Sequence, residues 1–177
     1  LLSITGNLDV TNNSSAITSN VYIGNQGAVI VSGQTTAINN ASGTSGEIYV
    51  ASGSNSTVTF TGAANFSNSN AGTTKRLWLG NDGDVIFNGV LTIVNTATST
   101  NCGVYCNYSG MSSNLYNQNI VVSNSSNEGI RFGQNTGVGT LAATRTITIG
   151  GGGYSAGLLY FRNFTQVGST AQTLIAT

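Results

Sequence analysis

The chain has 177 residues, of which only 6% are charged and 39% are hydrophobic, as expected for one folded domain rather than a disordered chain. Five acidic residues balance five basic ones and histidine is absent, so we expect no imidazole chemistry, no metal or cofactor site and no nucleic-acid partner. No apolar run approaches the ~18 residues of a membrane-spanning helix, and we expect no membrane insertion.

A short apolar segment with a central aromatic or arginine residue recurs along the chain. The six copies are Val21-Tyr22-Ile23, Ile48-Tyr49-Val50, Leu77-Trp78-Leu79, Val104-Tyr105-Cys106, Ile130-Arg131-Phe132 and Leu159-Tyr160-Phe161. Their spacings are 27, 29, 27, 26 and 29 residues. A constant period of about 20–50 residues indicates a repeat architecture.

Each repeat carries two further alternating segments. The second segment ends in glycine and begins at Leu2, Val29, Val58 and Val85. The third follows directly and begins at Leu8, Ala64, Leu91, Ile120 and Ile147. Alternation at period two in Val, Ile, Thr and aromatic residues predicts strands, and no segment shows a helical period. The protein is therefore predicted to be all-β.

Three short strands per unit, joined by short Gly, Asn and Ser corners, predict a parallel β-helix (β-solenoid) spanning residues 1–177 as a single segment. We expect about six to seven coils of ~27 residues, right-handed by the general bias of parallel crossovers. An antiparallel sandwich or barrel is the alternative.

The sequence also predicts where the coils depart from the regular length. The extra residues before Val58 are expected in the corner Ala51–Ser56. Gly150–Gly153 are predicted to form a corner, and the coils that contain 107–119 and Gly150–Gly153 should be the least regular.

Alternation also assigns side chains to the interior and to the outer surface. The predicted interior residues are Val21, Ile23, Val29, Val31, Ile48, Val50, Val58, Phe60, Leu77, Leu79, Val85, Phe87, Ile130, Phe132, Leu159 and Phe161. The middle residues of the six copies point outward and form a ladder, Tyr22, Tyr49, Trp78, Tyr105, Arg131 and Tyr160. We predict an exposed aromatic ladder that stabilises this face or is covered by a neighbouring part of the same long chain. The alternative is that it contacts a glycan, a surface polymer or a partner protein.

Two other patterns concern the cysteines and the corner asparagines. The thiols Cys102 and Cys106 can form a disulfide only if the chain bends at Gly103, and otherwise Cys106 is a buried free thiol. Corner residues Asn25, Asn81 and Asn163 are predicted to stack as an amide ladder.

Two polar patterns are interpreted as structural features rather than as binding or catalytic sites. Asp82 and Asp84 lie in a glycine turn, where Asp is an ordinary turn residue. The runs Thr57/Thr59/Thr61 and Thr144/Thr146/Thr148 are similar to those of ice-binding solenoids, but they do not align in successive coils, so no flat threonine array is predicted.

The segments 24–33 and 80–89 share the pattern Gly-Asn-x-Gly-x-Val-Ile-x-x-Gly in a charge-poor, proline-free background. This pattern resembles the β-helical repeat regions of large secreted bacterial surface adhesins, such as those exported by the type IX system in Bacteroidetes, and also autotransporter passengers. The resemblance implies a structural and adhesive role at the cell surface, with flanking coils of a longer chain as neighbours. It transfers no functional residue.

The sequence thus predicts a non-catalytic rod or spacer of an extracellular protein or filament, cut from a longer chain. It would contact a surface glycan or another protein through the aromatic ladder. The alternative is a carbohydrate-binding or carbohydrate-cleaving β-helix of the tailspike or polysaccharide lyase kind. Asp82 and Asp84 would then be the carboxylate pair.

Overall fold

The structure is a computed structural model that describes residues 1–69 and 72–172. In these residues nineteen strands form three parallel sheets, which confirms the predicted all-β parallel solenoid. Sheet A contains β1 (Leu2–Ile4), β4 (Gly27–Val31), β7 (Ser56–Phe60), β10 (Asp84–Phe87), β13 (Ser113–Tyr116), β16 (Val138–Leu141) and β19 (Phe164–Gln166). Sheet B contains β2 (Leu8–Asn12), β5 (Thr35–Asn39), β8 (Ala64–Asn68), β11 (Leu91–Asn95), β14 (Ile120–Asn124) and β17 (Ile147–Tyr154). Sheet C contains β3 (Thr18–Ile23), β6 (Ser45–Val50), β9 (Thr74–Leu79), β12 (Val104–Cys106), β15 (Ile130–Phe132) and β18 (Leu159–Phe161).

Each strand pairs with the strand three places along the chain, because one coil contributes one strand to each sheet. Val21 pairs with Ile48, and Ile48 pairs with Leu77, in the spacing read from the sequence. Neighbouring strands lie about 4.8 Å apart, so six coils span on the order of 30 Å. All three sheets share this axis, and the apolar side chains between them form one continuous core.

The corner between sheet C and sheet A has a recurring backbone conformation. The residue that follows the sheet C strand has a positive φ in five successive coils, at Gly24, Ala51, Gly80, Asn107 and Gly133. A left-handed residue turns the chain sharply, which explains why glycine or asparagine stands at four of these five positions. The corner therefore begins with the same left-handed residue in each of these coils, although its length differs.

The predicted interior is confirmed for most of its residues. Phe60, Phe87 and Tyr116 stack in three successive coils with centroids 5.5 Å apart, and Phe66 meets Phe60 edge-on. Val21 and Leu159 are only partly buried against the core. Phe161 points to the same side as Phe132, on whose ring it stacks at 5.1 Å, but it is 37% exposed. It lies in the last described sheet C strand, which no further described strand covers.

An amide ladder exists, but at the end of sheet B rather than at the predicted corners. Asn12, Asn39, Asn68, Asn95 and Asn124 occupy the last position of successive strands and are all buried. The side-chain nitrogen of Asn39 donates to the Asn68 oxygen at 3.0 Å, and that of Asn68 to the Asn95 oxygen at 3.2 Å. Amide–amide hydrogen bonds thus join the three central members of the ladder, while the side-chain nitrogens of Asn12, Asn95 and Asn124 donate to backbone carbonyls.

The corner asparagines do not form the predicted ladder. Asn25 accepts a hydrogen bond from the Ser52 hydroxyl, and the Asn81 amide donates to Asp82 in its own turn. Asn163 donates to the Asn135 carbonyl. Asn25 and Asn81 lie two coils apart with a serine between them, so their amides are too far apart to bond.

The irregular coils fall mostly where the sequence placed them. Val31 pairs with Phe60 while Ile23 pairs with Val50, so the added residues lie within the corner Ala51–Ser56 as predicted. The four glycines Gly150–Gly153 are not a corner, which corrects that prediction: they lie inside β17. Their register against β14 shifts between Val122 and Asn124, since the extra glycines bulge out of the ladder.

Candidate partner-contact face

The outer face of sheet C carries the predicted ladder in register. Tyr22 pairs with Tyr49, Tyr49 with Trp78, and Trp78 with Tyr105 across neighbouring strands. The rings stack with centroids 5.0, 5.9 and 4.5 Å apart and interplanar angles of 20° or less. Arg131 follows in the next strand, with its guanidinium carbon 5.2 Å from the centre of the Tyr105 ring. The predicted stacking of this face, including the arginine, is confirmed as far as Arg131.

The prediction that this ladder is exposed was wrong for its centre. Trp78 and Tyr105 are only 7% and 6% exposed, whereas Tyr22 at the end is 50% exposed. The strand spacing of about 4.8 Å is close to the stacking distance of aromatic rings, so each inner ring has both faces covered by its neighbours. Tyr108 adds an edge-on contact to Trp78 at 4.7 Å and covers the side of the stack.

A second row of polar side chains, which the sequence analysis missed, lies beside the rings. Glu47 and Arg76 pair across sheet C, with a nitrogen-to-oxygen distance of 3.8 Å. The Glu47 carboxylate accepts hydrogen bonds from the Tyr49 hydroxyl at 2.6 Å and from the Trp78 indole nitrogen at 3.1 Å. This row could have been found from the sequence, because Glu47 and Arg76 stand two residues before Tyr49 and Trp78 and alternation places them on the same face.

These contacts make the centre of the face a rigid and electrically neutral unit. Burial and the bond to Glu47 raise the pKa of Tyr49 above its ordinary value. Burial likewise raises the pKa of Tyr105, against the lowering effect of Arg131 and Arg76. Both hydroxyls therefore remain protonated at neutral pH; that of Tyr49 donates to Glu47, and that of Tyr105 accepts from Arg131.

A cleft opens at the far end of the ladder, where Arg131 of β15 pairs with Tyr160 of β18. It has a volume of about 390 Å³ and is lined by Arg131, Gln134, Asn135, Leu158, Tyr160 and Arg162; we call it the arginine cleft. Arg131 is held in place by hydrogen bonds to Tyr105, Gln134 and Glu128. Sequence reasoning placed Arg131 and Tyr160 on this face but missed the corner residues that complete the cleft.

The two cysteines are buried and unbonded, which favours the free-thiol alternative. The Cys106 side chain points into the core, where burial raises its pKa. Cys102 lies in the corner before β12, and its sulfur contacts the Ser126 hydroxyl at 2.9 Å and the Ser99 carbonyl at 2.8 Å. Neither thiol has the exposure that thiolate chemistry requires.

We expect both thiols of the folded protein to be unreactive towards a thiol-specific reagent such as dithionitrobenzoate, because neither sulfur contacts solvent. In guanidinium chloride the same sample should release two equivalents of chromophore, and this serves as the control for the total thiol content. Rapid release of one or two equivalents without denaturant would contradict the buried positions. Absorbance during the reaction measures both quantities.

The acidic turn has structural partners. The Asp84 carboxylate accepts a hydrogen bond from the backbone nitrogen of Ser113 at 2.8 Å, and that of Asp82 accepts from Asn81. The two threonine runs lie apart, with Thr57 and Thr59 on sheet A and Thr148 on sheet B. Within residues 1–69 and 72–172, no group of three or more acidic or cysteine side chains is placed to hold a metal ion.

The fold and this face define a class of protein: a parallel β-solenoid with an aromatic and arginine ladder along one outer sheet. No family model matches the chain, and no curated protein or solved structure matches it at a significant level. In the part of the chain that the structure describes, no helix is long and apolar enough to cross a membrane.

Proposed function

We propose that this chain is a non-catalytic rod or spacer of a secreted or cell-surface protein, with sheet C as its contact face. The observation that carries the proposal is that three structures run in register through successive coils: the aromatic core, the buried asparagine ladder and the outer ring ladder. A solenoid built this way transmits load along its axis, because each coil binds its neighbours over all three sheets. Flanking coils of a longer chain would continue the same stack.

The composition supports an extracellular setting. Charged residues make up 6% of the chain, and the remaining surface is rich in Asn, Ser, Thr and Gly, as in the adhesin repeats that the sequence resembles. Buried thiols are also protected from oxidants outside the cell. Antibodies raised against the folded segment should label intact cells of the source organism. Labelling that requires permeabilised cells would overturn the surface location.

The contact role of sheet C can be tested by adhesion. Beads coated with the protein should be retained on at least one surface of a panel that carries polysaccharides and matrix proteins. Tyr22→Ser should reduce retention severalfold, because Tyr22 is half exposed and belongs to the ladder. Ile30→Ser, a half-buried residue on the outer face of sheet A, is the matched control. Retention no better than that of albumin-coated beads would overturn the adhesive part of the proposal.

The non-catalytic part of the proposal is supported by the partners of the acidic turn. Carboxylates that accept hydrogen bonds from the backbone of the next coil and from a turn amide act as structural groups. A double variant, Asp82→Asn with Asp84→Asn, provides the test against a carbohydrate-cleaving β-helix. Any polysaccharide cleavage by the native protein that this variant abolishes would overturn the assignment.

A further inference from the structure

The ladder offers a flat ligand few free aromatic surfaces. The rings of Tyr49, Trp78 and Tyr105 are stacked between neighbours, so their faces are occupied. Among the described residues, Tyr160 stacks on no other ring, although it continues the same row after Arg131. Tyr160 lines a cleft, and an aromatic ring in the wall of a cleft can receive the apolar face of a sugar ring. The search for a ligand site on this face therefore leads to the arginine cleft.

The walls of the arginine cleft are built on ordered backbone. Residue Gly133 has a φ of 76° and its nitrogen donates to the Cys106 carbonyl at 2.8 Å, which starts the corner on one side of the cleft. The nitrogen of Asn135 donates to the Tyr108 carbonyl, and that of Arg162 to the Phe132 carbonyl at 2.8 Å. The cleft is thus held by the coil-to-coil hydrogen bonds of the solenoid. Its volume of about 390 Å³ lies within the range of about 300–1,000 Å³ of small-ligand sites.

The charge of the arginine cleft is positive. Two of the five basic residues of the chain, Arg131 and Arg162, line it, and Glu128 forms an ion pair with Arg131 at 3.1 Å. Arg162 donates one hydrogen bond, to the Gln134 carbonyl at 3.3 Å, and is exposed. A guanidinium has five N–H donors in a planar fork, so Arg162 retains donors that match a carboxylate.

The remaining lining residues complement a sugar rather than a bare anion. The side-chain amides of Gln134 and Asn135 are of the type that pairs with hydroxyl groups, and Tyr160 offers an aromatic ring. Leu158, 62% exposed, adds an apolar wall. A free phosphate or sulfate would use the arginines alone and leave the Asn135 amide, the Tyr160 ring and Leu158 without a role.

We infer that the arginine cleft binds a carboxylated sugar residue of an acidic polysaccharide, with Arg162 on the carboxylate, Tyr160 under the ring and Gln134 and Asn135 on the hydroxyls. The inference rests on the proposed function, since it names the ligand of the same contact face. It places that ligand at the end of the ladder rather than along its centre. Arg131 acts as a positioning residue, because Glu128 and Tyr105 already hold its guanidinium.

Titration calorimetry with a galacturonic acid tetrasaccharide tests the inference, with cellotetraose as the neutral probe of equal length. We expect a dissociation constant of about 0.1–1 mM for the acidic probe and no measurable binding of the neutral one. Arg162→Gln should weaken binding about tenfold, the loss of one charge-assisted pair. Arg145→Gln removes the same charge at a site before β17 and should leave the affinity unchanged. Melting curves of both variants establish that they are folded.

Three results would overturn the inference: equal binding of the two tetrasaccharides, equal weakening by Arg162→Gln and Arg145→Gln, or inorganic sulfate binding as tightly as the acidic probe. The test also separates the inference from the proposed function. Adhesion of coated beads without binding of the acidic tetrasaccharide overturns the sugar site and supports the contact role. Tetrasaccharide binding without bead adhesion supports the sugar site and overturns the adhesive role.

Discussion

Replacing Phe87 by alanine is expected to lower the free energy of unfolding by about 3–5 kcal/mol. Phe87 is 1% exposed and lies in the middle of the aromatic core, where its ring stacks on Phe60 and Tyr116 and meets Phe66 edge-on. Because these neighbours belong to strands fixed by hydrogen bonds on both sides, the coils cannot close the cavity by moving together. Equilibrium denaturation in urea, followed by far-ultraviolet circular dichroism, measures the change.

Two variants serve as controls for Phe87→Ala. Ile86→Ala changes the adjacent residue on the outer face of the same strand, which is half-buried, and should cost less than Phe87→Ala by about 2 kcal/mol or more. Phe87→Leu keeps most of the volume and should be the milder core variant. A loss below about 1.5 kcal/mol for Phe87→Ala would show that the core relaxes, in contradiction to the rigid stacking.

Replacing Asn68 by alanine is expected to lower the free energy of unfolding by about 2–5 kcal/mol. The Asn68 side chain is fully buried and its nitrogen donates to the Lys75 and Cys102 carbonyls, each at 2.9 Å. Its oxygen accepts from Asn39 in the coil before. Alanine leaves these buried groups unpaired, and each unpaired group costs about 1–3 kcal/mol. The same urea titration measures the loss.

The matched control for Asn68→Ala is Asn65→Ala, on the outer face of the same strand, which should change stability by less than about 0.5 kcal/mol. Asn68→Asp provides a second control, because it keeps the shape and the acceptor oxygen but removes the donors and buries a carboxyl group. It should destabilise at least as much as alanine at neutral pH. Equal stabilities of the Asn65 and Asn68 variants would contradict the role of the ladder.

The sequence and the structure agree on everything that depends on local alternation and on period. The all-β class, the three strands per coil, their parallel register and the corner Ala51–Ser56 followed from these two patterns. The inward side of each strand followed as well, although Val21, Leu159 and Phe161 in the first and last described sheet C strands are only partly covered. The asparagine ladder could also have been predicted, since Asn39 and Asn68 end successive sheet B strands. The prediction was made for the corner asparagines instead.

The candidate partner-contact face shows what local alternation could not predict. Alternation correctly placed Trp78 and Tyr105 on the outer side of sheet C, but an outward direction was taken to mean exposure. The exposure of a ring depends on the side chains in the neighbouring coils. Because rings in adjacent strands lie at stacking distance, no solvent fits between them. The same holds for Glu47, whose position two residues before Tyr49 was readable while its bond to Trp78 was not.

By itself, the sequence determined that this chain is a proline-free parallel solenoid with a period of about 27 residues. Strand alternation is visible between adjacent residues, and the repeat length is visible between equivalent residues of successive repeats. The tertiary structure alone decided that the aromatic ladder is largely closed, that both thiols are buried, and that Arg131, Tyr160 and Arg162 meet in one cleft. Those properties arise from contacts between side chains about one coil apart. The distances between these side chains are set by strand spacing and by the conformation of the corners, and neither can be read from the pattern of residues along the sequence.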